Sequence, residues 1–151
     1  MMLKFPALLA CAAIACTAPL FAEERDDAAD VSEKTLAAIA ALDQRGATIA
    51  NLYLKDRVAG APVSCIPQTR LRRSSAASDN VLLYDAGSVV YVNSPYLGCP
   101  RARDNAMISS SPVPRLCAGD IILVQDMLAR APLGSCALNK FVPFRKVKRP
   151  K

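Results

Sequence analysis

Cys65, Cys99, Cys117 and Cys136 are the residues of this chain whose type and spacing can do the most chemistry. Four thiols can close two disulfides, hold a metal or run thiol–disulfide exchange. Zinc sites built from four cysteines use two closely spaced pairs, and exchange catalysts rely on Cys-x-x-Cys. No Cys-x-x-Cys occurs here. Two structural disulfides are therefore expected, as in exported proteins. Four cysteines permit three pairings. The expected one joins Cys99 to Cys117, across neighbouring strands, and Cys65 to Cys136, tying the first strand of a domain to its last.

Other familiar chemistry is thinly supplied. The chain has no histidine, so Ser-His-Asp and Cys-His arrangements and histidine metal sites are excluded. It has no Gly-x-Ser-x-Gly elbow, no Ser-x-x-Lys motif and no phosphate-cradling Gly-x-x-x-x-Gly-Lys loop. Beyond Asp56 the carboxylates are Asp79, Asp85, Asp104, Asp120 and Asp126. Asp79 and Asp85 fall in predicted turns, where aspartate caps its own backbone, and Asp120 follows Gly119 just before a strand. No catalytic residue, cofactor or metal is expected.

Arginines offer a different kind of site. Arg70, Arg72 and Arg73 are the densest charge inside the main domain, and guanidinium forks suit carboxylates and phosphates. On a strand, Arg70 and Arg72 share one face and Arg73 the other. Arg101 and Arg103 flank the neighbourhood of Cys99 and complete the expected anion-binding set. The simpler role of such charge is to guard an edge strand against aggregation. Tyr84, Tyr91 and Tyr96 can stack on a sugar, but Tyr84 and Tyr91 sit in apolar runs that read as core.

The elements that must position these residues divide the chain in four. Residues 1–22 read as an export signal: Lys4, an apolar run from Phe5 to Cys16, Pro19 and a cleavage site after Ala22. The alternative is a lipid anchor on Cys16 or Cys11, each preceded by alanine. Residues 23–62 form an acidic helical segment and linker. Asp30-Val31-Ser32-Glu33 matches a capping box, so a helix is expected over 30–45, with its apolar stripe continuing toward Lys55. Gly46 either ends that helix or is tolerated in it.

Residues 63–144 read as a disulfide-stabilised β domain. Strands are expected over 63–72, 81–84, 89–92, 106–108, 121–124 and 138–144. The second and third form a hairpin, and the run Ile121-Ile122-Leu123-Val124 suits a buried strand. Pro143 places the last strand at an edge. The fold class is mainly β with an N-terminal helix: a small antiparallel barrel or sandwich of five to six short strands. Residues 145–151, with Arg145, Lys146, Lys148, Arg149 and Lys151, read as a basic tail able to dock on anionic lipid.

Charge follows this division. Residues 23–56 hold eight acidic side chains against four Lys or Arg, whereas residues 57–151 hold fourteen basic against five acidic. A basic exported domain attracts anionic partners. Here these are an anionic lipid, a cell-wall polymer or an acidic protein rather than nucleic acid.

Four motifs in order carry a resemblance. They are Cys65-Ile66 with Arg70, Tyr91-x-Asn93 leading to Cys99-Pro100, Leu116-Cys117-x-x-Asp120-Ile121-Ile122, and Cys136-x-Leu138-x-x-Phe141-x-Pro143. Over about residues 63–147 the chain resembles a group of small exported or lipid-anchored bacterial proteins known only as a four-cysteine domain of unknown function. It departs from that group at Asn139, where glycine is usual, and at Arg101-Ala102-Arg103, where a small or apolar stretch is usual. The resemblance implies export and a β-rich disulfide domain, and it brings no activity. The expected function is a non-enzymatic periplasmic or secreted binding module, attached peripherally or by a lipid anchor if membrane-bound. The alternatives are a hydrolase inhibitor presenting the loop 109–114 or, more remotely, an enzyme using aspartates alone.

Overall fold

The computed structural model describes residues 22–111 and 113–147. The expected export segment up to residue 21, with Cys11 and Cys16, and the basic residues from 148 onward lie outside the described residues.

Two helices precede the sheets: α1 (Ala22–Ala40) and α2 (Gln44–Leu54). The expected single helix is split at Asp43. That residue is extended, at φ −65° and ψ 170°, and its Oδ1 accepts the Gly46 N–H at 2.7 Å, so it caps α2. Asp30 is not a cap. It lies inside α1, and its carboxylate takes the Lys34 ammonium one turn on, at 2.7 Å. Gly46 is retained in α2 because the helix crosses the sheet closely there: a Cβ would lie 2.6 Å from the Ala77 carbonyl oxygen.

Ten short strands follow among the described residues. In chain order they are β1 (Arg57–Ala59), β2 (Cys65–Pro67), β3 (Arg73–Ser78), β4 (Val81–Asp85) and β5 (Val89–Asn93). Then come β6 (Ala106–Ser109), β7 (Arg115–Cys117), β8 (Ile121–Gln125), β9 (Pro132–Ala137) and β10 (Phe141–Lys146). They build an antiparallel five-stranded sheet in the order β1-β10-β5-β4-β3, a β2–β7 pair, and a three-stranded sheet in the order β6-β8-β9. The sheets stay open, so the architecture is sandwich-like rather than a closed barrel.

The five-stranded sheet is buried on both faces. On one, Val81, Leu83, Val90, Val92 and Val142 pack with Val31 and Ala50 of the helices. On the other, Leu82, Tyr84 and Phe141 meet Ile66, Leu116, Ile122 and Val124 of the smaller sheets. This explains the unbroken apolar run of β4, whose residues 81–84 are all buried. By contrast β8 has one covered face. Ile122 and Val124 are buried, while Ile121 and Leu123 are 51% and 42% exposed, so the expectation of a fully buried strand fails there.

Three further expectations are corrected. The stretch 63–72 yields only the short β2, then a 3-10 turn at Gln68–Arg70, and β3 starts at Arg73. The last strand starts at Phe141 rather than 138 and runs to Lys146, so Arg145 and Lys146 belong to a ladder with β1 and not to a tail. Finally, β10 is an interior strand. Proline is tolerated because β1 pairing lapses at Pro143: its carbonyl takes the Gly60 N–H at 2.8 Å, and its missing N–H faces the same side, where β1 ends.

The disulfides join Cys65 to Cys117 and Cys99 to Cys136. The expected pairing is overturned because β2 pairs with β7, setting Cys65 directly opposite Cys117 with 4.0 Å between their Cα atoms. Disulfides of this kind persist in oxidising extracellular or periplasmic surroundings. Among the described residues no helix is long and apolar enough to cross a membrane.

Candidate functional site

The opening between the sheets is where unused chemistry collects. β3 ends the five-stranded sheet and β6 ends the three-stranded one, and neither has a strand on its outer side. Both border a trough. At one end lies a cavity of about 300 Å³ whose lining includes Leu71, Met107, Leu116 and Ile122 as apolar wall. Next to it a second cavity, about 310 Å³, is lined by Ser75 and Ala76 of β3 and by Asn105 and Ala106. Ser74 and Met107 line both.

Two hydroxyls line the first cavity without partners. Tyr84 is held by β4 on the inner face, 3% exposed, with its ring edge-on to Phe141 at 5.7 Å and 75°. Its phenol oxygen is buried and makes no hydrogen bond. Burial also pushes its pKa well above the ordinary value of 10, so it stays a neutral O–H donor. Ser109, at the end of β6, lines the same cavity, and its buried Oγ also has no partner. A buried hydroxyl without a partner costs about 1–3 kcal/mol, so two in one cavity are informative.

Arg72 and Arg73 line this cavity as well. Neither forms an ion pair among the described residues, whose salt bridges involve other cations. Arg72 immediately precedes β3 and donates its backbone N–H to Asp85. Its guanidinium rests against Gly87 of the β4–β5 turn, where a Cβ would lie 2.9 Å from Cζ and where φ is +81°. The positive φ calls for glycine at that position, whereas the Arg72 side chain could swing away from a Cβ. Hydroxyl donors and uncommitted guanidinium groups together make a site that donates hydrogen bonds and favours anionic acceptors.

Of the remaining residues of the expected arginine set, Arg70 and Arg101 lie outside both cavities, while Arg103 lines the second. Arg70 ends the 3-10 turn, exposed and outside the cavity lining. Arg101 adopts a left-handed conformation before the 3-10 turn Ala102–Asp104, also exposed. Arg103 is committed: its Nη1 reaches Asp43 at 2.7 Å, bracing that turn against the α2 cap. The pair moves both groups, lowering the Asp43 pKa, chiefly through the Gly46 N–H and then Arg103, and raising that of Arg103. Arg45 similarly reaches Asp104 at 2.7 Å.

The aspartates serve the backbone. Asp85 Oδ1 accepts the Gly87 N–H, Asp120 Oδ2 accepts the Cys117 N–H, and Asp126 Oδ1 accepts those of Leu128 and Ala129. These last two bonds hold the Asp126 carboxyl below its ordinary 3.8. Of the tyrosines, Tyr91 is half-buried against the inner core and Tyr96 is exposed. In the loop 109–114, Ser109 belongs to the cavity, the Pro114 carbonyl accepts the Gln68 N–H, and residue 112 lies outside the described residues. Among the described residues no group of three or more cysteine, aspartate or glutamate side chains gathers in a form suited to a metal.

Sequence reasoning reached Arg72 and Arg73, set Tyr84 aside as core after weighing it for sugar stacking, and reached Ser109 only as part of the loop 109–114 of the inhibitor alternative. For Tyr84 the signal was a hydroxyl at the end of an otherwise aliphatic run; nothing local placed Ser109 beside it. No protein-family model, curated protein or solved structure matches this chain.

Proposed function

We propose that this protein is an exported, non-enzymatic binding module of the cell envelope, and that the opening beside β3 is its binding site for an anionic partner. The carrying observation is the coincidence, in one cavity, of two buried unpartnered hydroxyls with two arginines free of ion pairs. Two disulfides and the apolar segment after Lys4 support export. So does the resemblance to exported four-cysteine proteins. The basic balance of residues 57–151 supports an anionic partner.

Replacing Arg72 and Arg73 together by glutamine tests the site. Retention on phosphatidylglycerol vesicles or on cell-wall material should weaken about thirtyfold, taking roughly 1 kcal/mol for each of the two charges lost. Arg101→Gln, outside the cavity, should leave retention unchanged. Retention of the double variant at the original level, insensitive to salt, rejects the site. The intact mass of protein from its native host tests the export reading. A chain starting at Glu23 without free thiols is a free envelope protein, an acylated chain starting at Cys16 or Cys11 is anchored, and an unprocessed chain rejects export.

A further inference from the structure

The trough has the form of a vacant strand position. Where a sheet presents its face to a cavity, alternate residues line it; where it presents an edge, successive residues do. Leu71, Arg72, Arg73 and Ser74 line the first cavity in succession, and Ser74, Ser75 and Ala76 line the second. On the opposite wall, Asn105, Ala106, Met107 and Ser109 come from β6 and the residue before it. Beyond their ladders to β4 and β8, neither β3 nor β6 has a backbone hydrogen-bond partner among the described residues. We infer that this seam takes an extended acidic peptide segment of a partner protein, which pairs with the free edge of β3 and bridges it to β6. The inference rests on the seam being the binding site and names its occupant.

Three features favour a peptide over other anions. An open strand edge offers N–H donors and C=O acceptors in alternation, and another strand satisfies both. A lipid headgroup or a sugar polymer presents no such alternation. The β3 edge carries small residues at Ser74, Ser75 and Ala76, with neither proline nor lysine among them; the 3-10 turn Ala102–Asp104 packs beside it and bounds the seam on that side. The occupant's side chains would alternate as well. One set would turn inward to Leu71, Met107 and Ile122, beside the Tyr84 and Ser109 side chains. Its acidic residues answer Arg72 and Arg73.

The length of the site follows from the strands. The pairing register of β3 shifts between Ala76 and Ser78, which ends its regular edge near Ala76, and β6 has four residues. The other outer edges are poorer. β1 has only three residues, and β9 opens with Pro132 and contains Gly134.

The test uses the full chain and a library of short peptides with Asp or Glu at every second position and varied apolar residues between. Binding is read by fluorescence anisotropy. The tightest peptide is then N-methylated at alternate amides, in each of the two phases. Blocking the amides that face β3 should weaken binding about tenfold or more while leaving charge intact. Binding of the unmodified peptide should also slow hydrogen exchange at the amides of residues 73–76. If neither phase weakens binding and exchange is unchanged, strand pairing is overturned; should R72Q/R73Q still abolish that binding, the anionic site survives. Failure of every peptide to bind overturns the peptide occupant, and retention on anionic vesicles then preserves the site alone. Failure of peptides, vesicles and cell-wall material together removes both.

Discussion

Single residues in this protein are mostly committed to holding turns, and Asn93 shows how strongly. It is fully buried at the end of β5. Its amide donates to the Asn139 carbonyl at 2.5 Å and accepts the Asn139 N–H at 3.2 Å, clasping the corner between β9 and β10. Asn139 in turn caps itself, its Oδ1 accepting the Lys140 N–H at 2.7 Å. Asn93→Ala leaves two backbone groups unsatisfied in the interior, and urea unfolding should show a loss of about 1–3 kcal/mol. Asn93 was visible in the sequence as part of Tyr91-x-Asn93, but its partner lies 46 positions on, beyond any local pattern. Asp85 was easier: it was expected to cap its own backbone because aspartate in a turn does this locally, and its Oδ1 takes the Gly87 N–H.

At the scale of elements, similar apolar runs meet different fates. Val81-Leu82-Leu83-Tyr84 and Ile121-Ile122-Leu123-Val124 both read as buried strands, yet only the first has neighbours on both faces. The helices supply the second layer over β4, and no described element covers the outer side of β8. Helix α2 carries the contact that fixes this layer. Gly46 brings it against Ala77, so Gly46→Ala should push the helix away and cost about 1–3 kcal/mol. On an exposed helix the same change would gain roughly 1 kcal/mol. A lowered urea midpoint with an unchanged slope is the expected result. A raised midpoint would show that α2 does not pack as closely as described.

For the whole molecule, the disulfides are interleaved. The Cys65–Cys117 loop spans 52 positions and the Cys99–Cys136 loop 37, each containing one cysteine of the other. On the chain-entropy account, replacing Cys65 and Cys117 together by alanine should cost about 4 kcal/mol. Peptide mapping without reduction should recover Cys65 with Cys117 and Cys99 with Cys136. Recovery of Cys65 with Cys136 would contradict the β2–β7 pairing. The same pairing leaves β3 and β6 as separate outer edges, so the route of the disulfides and the open seam belong to one topology.

By itself, the sequence determined what depends on neighbours along the chain. That includes the β-rich body behind a helical segment, the β4–β5 hairpin, the use of aspartates in turns and the four cysteines beyond residue 22 without a close pair. It also assembled Arg72 and Arg73 by adjacency. Tertiary structure alone decided which cysteines meet, which apolar runs are covered on two faces, why Pro143 can sit inside a sheet, and that Tyr84, Ser109 and these arginines share a cavity. The reason is that periodicity and turn chemistry are local, whereas strand order is set by pairings between segments tens of residues apart. Those pairings decide which side chains and edges remain without partners, and here the unpartnered groups define the site.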